Sequence, residues 1–278
     1  MSGILENSLL VCNDEYLIPN WPAPDWIKSA VSTRKGKNEN HFDSFNIADH
    51  VNDDIQSVIA NRVQLEKDLH LKNSPQWIEQ VHGIESTELI EPKNIHNYSD
   101  SNYLSNYSQS MAPIKADASY TKQIDLPCIV MTADCLPILL TNKAGTWVSA
   151  IHAGWRGLCN GIVESTIAKY DGDTCDLIAW LGPAISQKYF EVGSEVRTAF
   201  LTVDNGYAAA FVCHKPEYYM ADLSFIARQK LSCLNIKAYG GGLCSFDDSE
   251  RFYSYRRDGE TGRMASLVWI ENKKMSKT

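Results

Sequence analysis

The sequence predicts an α+β fold, with mixed β-sheets flanked by helices, and three observations lead there. Apolar runs of strand length recur at 126–142, 146–152 and 175–186, bounded by turn-forming residues. Stretches with helical spacing lie at 54–71 and 222–235. The two kinds of segment do not alternate strictly and no internal repeat is present, which favours mixed sheets over a doubly wound parallel sheet. No linker-like stretch divides the 278 residues, so residues 1–278 read as a single domain.

Taken in order, "WIKSAVSTR" (26–34) reads as a short strand that runs into a polar loop through Asn46. In 54–71, apolar residues at 55, 58, 59, 63, 65, 69 and 71 fit a helix face better than alternation. "PQWIEQVHG" (75–83) reads as a strand delivering His82 to a glycine turn. Residues 92–115, rich in Asn, Ser and Tyr, show no sustained period and are expected to form an inserted surface loop. The apolar runs of 126–142 are broken by Thr-Ala-Asp-Cys and are expected to lie beside the strand 146–152. A helix at 159–170, a buried strand at 175–186 and a helix at 192–201 follow. The helix at 222–235 is the clearest: Asp222 can cap it, and Leu223, Ile226, Ala227, Leu231 and Leu234 share a face. An arginine-rich turn and a final strand end the pattern.

Composition narrows the function classes. A net charge of −8 argues against a broad electrostatic grip on nucleic acid or anionic lipid, although one cleft can still be basic. The N-terminal stretch lacks a basic segment followed by a long apolar one, and no run approaches the ~20 apolar residues of a membrane span. Eight cysteines without a CxxC pair read as reduced thiols of a cytoplasmic protein. "YGGGLCSF" (239–246) lacks the spacing of a phosphate-binding glycine loop.

Three stretches end an apolar run in a residue able to bind metal: His82 in "QVHG", Cys135 in "TADC" and His152 in "AIHAGW". Zinc takes imidazole nitrogen and thiolate sulfur, and catalytic zinc sites usually keep three protein ligands. The same residues also permit Cys135 as a nucleophile activated by His82 or His152. A single histidine at a strand end is more often hydrogen-bonded to backbone, and a metal site requires the three to converge in space. Asp134, adjacent to Cys135, is expected to face away from it, which argues against a triad of neighbours.

"WIEQVHG", "KADASYT", "TADCLPILL" and "AIHAGWRGL" occur in an order that resembles the multicopper-polyphenol-oxidase-like, or laccase-domain, family of purine nucleoside phosphorylases, which includes the peptidoglycan editing factor. Residues 31–54, "LGPAISQKYFEVGSEV" and "SYRRDGETGRMAS" extend the likeness over most of the chain. The resemblance implies an α/β/β/α arrangement of layers and a zinc held by His82, Cys135 and His152, with copper as the alternative metal. It implies phosphorolysis of adenosine, inosine, guanosine and S-methyl-5'-thioadenosine, together with adenosine deamination. The expected partners are small molecules, a purine nucleoside and phosphate, and the expected state is a monomer or weak homodimer. Lys37 stands where the family has a second glycine, and the 92–115 loop is longer than usual, so substrate choice is where this chain departs.

On that reading Arg34 and Arg156 are candidate phosphate binders, because a guanidinium grips phosphate oxygens in pairs. Gln80 and Asn46 are candidates for contacts to base or sugar, Trp155 for stacking, and Asp117 or Glu191 for proton donation. Three rival readings remain: a Cys135-dependent amidase acting on peptidoglycan precursors, a copper-dependent polyphenol oxidase, and a non-catalytic scaffold. The seven histidines include no HxH pair, which argues against the clustered copper sites of an oxidase.

Overall fold

A computed structural model of the protein describes residues 9–13, 15–35, 42, 45–90 and 114–272. Lys37 and residues 92–113 of the expected loop lie outside the described residues. Among the described residues, a five-stranded sheet runs in the order β1 (Leu9–Asn13), β2 (Tyr16–Pro19), β3 (Ile27–Ser32), β16 (Met264–Ile270), β8 (Cys128–Thr132). A six-stranded sheet runs β15 (Lys237–Gly240), β11 (Leu177–Leu181), β9 (Leu136–Asn142), β10 (Val148–Ala153), β7 (Ala118–Thr121), β5 (Ser86–Glu88). In the six-stranded sheet β11 with β15 and β5 with β7 are parallel and the other pairs antiparallel, so it is mixed as the sequence predicts, whereas the five-stranded sheet is antiparallel throughout.

The two sheets face each other. Val130, Leu139, Val148, Ala150, Trp180 and Val268 fill the space between them. The outer face of the six-stranded sheet is covered by α2 (Trp155–Asn160), α3 (Ile162–Ile167), α4 (Ser194–Val203) and α5 (Leu223–Cys233), through residues such as Ile138, Ile151, Val163, Phe200 and Ile226. The outer face of the five-stranded sheet meets α1 (Ile55–Asp68) and the loop before it, through Ile47, Leu65, Ile129 and Leu267. The layers are therefore α/β/β/α. Strands covered on both faces read as continuous apolar runs rather than alternating ones, and β9, β10 and β16 are buried at every position. No helix among the described residues is long and apolar enough to cross a membrane.

The helices start where their caps direct. Asp54 accepts from the Ser57 amide at α1, and Asp222 from the Phe225 amide at α5. The segment read as one helix over 159–170 is instead two short ones, α2 and α3, because Gly161 takes a left-handed φ of 103° between them. The arginine-rich turn holds a one-turn helix, α6 (Tyr255–Asp258), capped by Ser254.

One pairing differs from the sequence expectation. β9 and β10 do lie side by side, with His152 opposite Pro137, but β8 belongs to the other sheet and pairs with β16. The Thr-Ala-Asp-Cys link is not a tight hairpin. It carries the chain across the sandwich, turning at Asp134 with φ 99°. A chemically dense segment is thereby suspended where the sheets meet.

Candidate metal and substrate site

Three separate passes of the chain deliver the predicted ligands to one point. His152 lies near the end of β10, on the face that Val148 and Ala150 turn toward the other sheet. Cys135 ends the crossover from β8. His82 follows β4 (Ile78–Glu79), which is shorter than the strand expected over 75–83, and sits in a turn with φ 59°. The candidate ligand atoms of His82, Cys135 and His152 all lie within 4.8 Å of one another. Cys135 Sγ is 3.8 Å from His82 Nε2, and the two imidazole rings meet edge to face at 4.8 Å.

Asp117, fully buried just before β7, organises this point. Its carboxylate accepts from the amides of Val81, His82 and Gly83 at 3.3, 2.9 and 2.6 Å. These charge-assisted bonds hold the left-handed turn, a conformation costing a β-carbon-bearing residue about 1 kcal/mol or more. Asp117 Oδ1 also lies 2.8 Å from His152 Nδ1, which leaves Nε2 of that ring for the cleft. A carboxylate behind a histidine fixes its tautomer and raises its strength as a ligand. Asp117 is thus committed to positioning and does not line the cleft as a proton donor would.

The thiol and imidazole polarise one another. Burial pushes the Cys135 thiol up, but the charge of His152 and hydrogen bonds to both histidines outweigh it and bring the group down to about 6. Burial pushes His152 down, while the facing thiolate and Asp117 outweigh that and raise it to about 9. Burial raises the Asp117 carboxyl and the bonds from His152, Gly83 and His82 lower it, with a net fall.

Close packing behind the ligands requires glycine. A β-carbon on Gly154 would stand 2.8 Å from His82 Cδ2 and 3.2 Å from Cys135 Sγ, and one on Gly157 would stand 2.7 Å from the Gly83 carbonyl. Gly154→Ala is therefore expected to displace the His82 ring and lower metal occupancy several-fold without unfolding the chain. Metal content by elemental analysis, read beside the thermal midpoint, checks this.

The donor set fits a borderline-soft divalent ion. One thiolate and two imidazoles converge, one ring is braced by a buried carboxylate, and an open side faces a cleft of about 380 Å³. That volume suits a small organic ligand. Trp155, Ile185, Phe190 and Leu223 give the cleft an apolar wall.

The other sequence-predicted residues divide. Gln80 lines the cleft, with its amide bonded both ways to the Met131 backbone like an added rung on β8. Asn46 is buried outside it, tying Ala48, Asp53 and the Arg263 amide together. Arg34 donates to the Ser249 carbonyl, 3.9 Å from Asp258, and packs over Tyr253. Arg156 stacks on Trp155 away from the lining. Glu191 pairs with His214 and Lys215 outside the lining. The cations that do line the cleft are Arg256 and Arg263, which the sequence reading passed over. Arg256 donates to the Glu191 carbonyl, and Arg263 to the carbonyls of Thr261 and Gly262. Their signal was the arginine-rich turn itself. Asp134 accepts from Ser245 Oγ at 2.7 Å and the Arg256 amide at 2.6 Å, so it is turned to the loops and not to Cys135.

The chain is similar to known proteins over most of its length. The family model described as "Multi-copper polyphenol oxidoreductase laccase" matches residues 28–271. The chain is 41% identical over 258 residues to a protein of Escherichia coli (strain K12) named "Purine nucleoside phosphorylase YfiH", covering 92% of this chain and 99% of that one. It is 41% identical over 257 residues to a "Purine nucleoside phosphorylase" of Haemophilus influenzae, covering 91% and 98%. A crystal structure of a Neisseria meningitidis protein superposes with a TM-score of 0.82 at 36% identity, covering 93% of this chain and 100% of that one.

Proposed function

We propose, from the premise that this chain belongs to the multi-copper polyphenol oxidoreductase laccase family, that it is a zinc-dependent purine nucleoside phosphorylase that also deaminates adenosine. The observation that carries this reading is the convergence of His82, Cys135 and His152 on the floor of a nucleoside-sized cleft that Arg256 and Arg263 also line. The relatives' names supply the substrate class. Adenosine, inosine, guanosine and S-methyl-5'-thioadenosine are the candidate nucleosides. A cytoplasmic setting suits the described cysteines, all of which are free thiols. We take the working form as a monomer or weak homodimer.

In phosphorolysis a phosphate oxygen attacks ribose C1′, the C1′–N9 bond breaks, and its electron pair leaves with the purine. Bound zinc would act as a Lewis acid that polarises an oxygen ligand. The chain's own groups do the rest. His152, held by Asp117, and His82, held by its turn, keep the donor atoms fixed. Arg256 and Arg263 place positive charge where phosphate enters, a role that Arg34 and Arg156 do not occupy in this geometry. Trp155 and Phe190 cover an apolar base and keep water from it.

A second reading has an observation of its own. The Cys135 thiol, drawn down to about 6, is chemically competent as a nucleophile for an amidase of peptidoglycan precursors. One experiment separates the two. Zinc-loaded protein is expected to release ribose 1-phosphate from inosine and adenosine only when phosphate is present. Chelation should abolish that turnover and added zinc restore it. Activity on a muropeptide amide that survives the chelator, with no ribose 1-phosphate formed, would overturn the phosphorylase reading.

A further inference from the structure

A third histidine stands at the cleft without joining the other two. His50 lies in the loop before α1 and lines the same cavity as Cys135. Its Nδ1 is 3.5 Å from Asp49 Oδ1, which leaves the opposite ring nitrogen for a ligand. Asp49 is itself fixed from behind: Arg62, 2% exposed, places Nη2 3.4 Å from the carboxylate, donates from Nε to the Ile47 carbonyl and stacks on Trp77 at 4.0 Å. A buried cation therefore stands behind a half-exposed carboxylate, and that carboxylate stands beside a half-exposed imidazole at the cleft.

Phosphorolysis leaves a chemical requirement unmet by the metal site. The departing purine carries the electron pair of the C1′–N9 bond, and protonation at N7 makes it a neutral leaving group. The three metal-holding side chains are committed elsewhere. Of the other titratable groups lining the cleft, Asp134 is occupied by Ser245 and the Arg256 amide. Arg256 and Arg263 are guanidinium groups that serve as fixed cations, and Tyr255 offers only a phenol hydroxyl. Histidine is the side chain suited to giving and regaining a proton near neutrality.

We infer that His50, oriented by Asp49, is the general acid that protonates purine N7 as the glycosidic bond breaks. The inference rests on the phosphorylase reading above. As the C1′–N9 bond breaks, the imidazolium proton moves to N7 and the phosphate oxygen forms its bond to C1′. The proton that monohydrogen phosphate gives up to solvent balances the one His50 regains.

The test compares guanosine with 7-methylguanosine, whose N7 already carries a methyl group and a positive charge and needs no proton. The enzymes are the full-length zinc-loaded protein and its His50→Gln and His50→Asn variants. With guanosine, kcat is expected to fall about 100-fold in both variants. With 7-methylguanosine it is expected to stay within about 3-fold of the parent enzyme, which also shows that the variants are folded. Equal losses on the two substrates, or no loss on guanosine, would overturn the role of His50 alone. A parent enzyme that cleaves neither nucleoside with phosphate would instead overturn the phosphorylase reading, and this inference with it.

Discussion

Replacing Cys135 by serine is expected to empty the metal site and reduce phosphorolysis by more than about 100-fold, since even changes behind a ligand cost 10–100-fold. The thiolate is the one soft donor at the point where His82 and His152 meet, and a neutral hydroxyl is a poor substitute. The loop around it should survive, because Asp134 is anchored by Ser245 and the Arg256 amide, and the Asp134 carbonyl accepts from Ile185. Elemental analysis beside phosphate-dependent turnover checks the result. A variant that kept both its zinc and its rate would remove Cys135 from the ligand set.

Asp117→Asn should be the more damaging change to the folded state. One carboxylate oxygen accepts from Val81 and Gly83, and the other accepts from His82 and faces His152 Nδ1. An amide keeps one oxygen and turns a donor toward the partners of the other. Removing one member of a buried charged network costs about 3–5 kcal/mol, so the urea midpoint should drop accordingly. Zinc should bind about 10–100-fold more weakly, because His152 loses the group that fixes its tautomer and His82 its turn. A variant with unchanged stability and unchanged zinc affinity would contradict the account of Asp117.

The sequence disclosed the three candidate ligands because each closes an apolar run and because the motifs around them resemble a family in which they would hold a metal. The strands are legible because residues covered on both faces leave unbroken apolar runs, whereas the layering follows only from the family resemblance. The sequence did not disclose which sheet each strand joins: β8 and β9 have the same hydrophobic character, and only their partners β16 and β10 distinguish them. The role of Asp117 was hidden for a similar reason. Its partners lie 34 to 36 positions away, so the residue reads locally as an ordinary acid among small neighbours. Arg34 and Arg156 are candidates from sequence because a guanidinium grips phosphate oxygens, but stacking and, for Arg34, a carbonyl contact hold them away from the lining. Arg256 and Arg263 sit over 100 positions beyond Cys135, and nothing local to either marks it as a neighbour of that thiol.

The Thr-Ala-Asp-Cys crossover ends at the six-stranded sheet, so an ion held by Cys135 would act as a clasp between segments at one end of that sheet. His152 lies near the end of β10, Cys135 directly precedes the neighbouring strand β9 of the same sheet, and His82 arrives on a turn braced by Asp117. Capture of the ion thus closes contacts between stretches of chain far apart in sequence, which form late because long loops must be ordered first. The free energy of metal capture would then favour docking of the His82 turn against the six-stranded sheet. On the proposed reading, a chain without its ion would keep its two packed sheets and lose the tie between the His82 turn and the ends of β9 and β10.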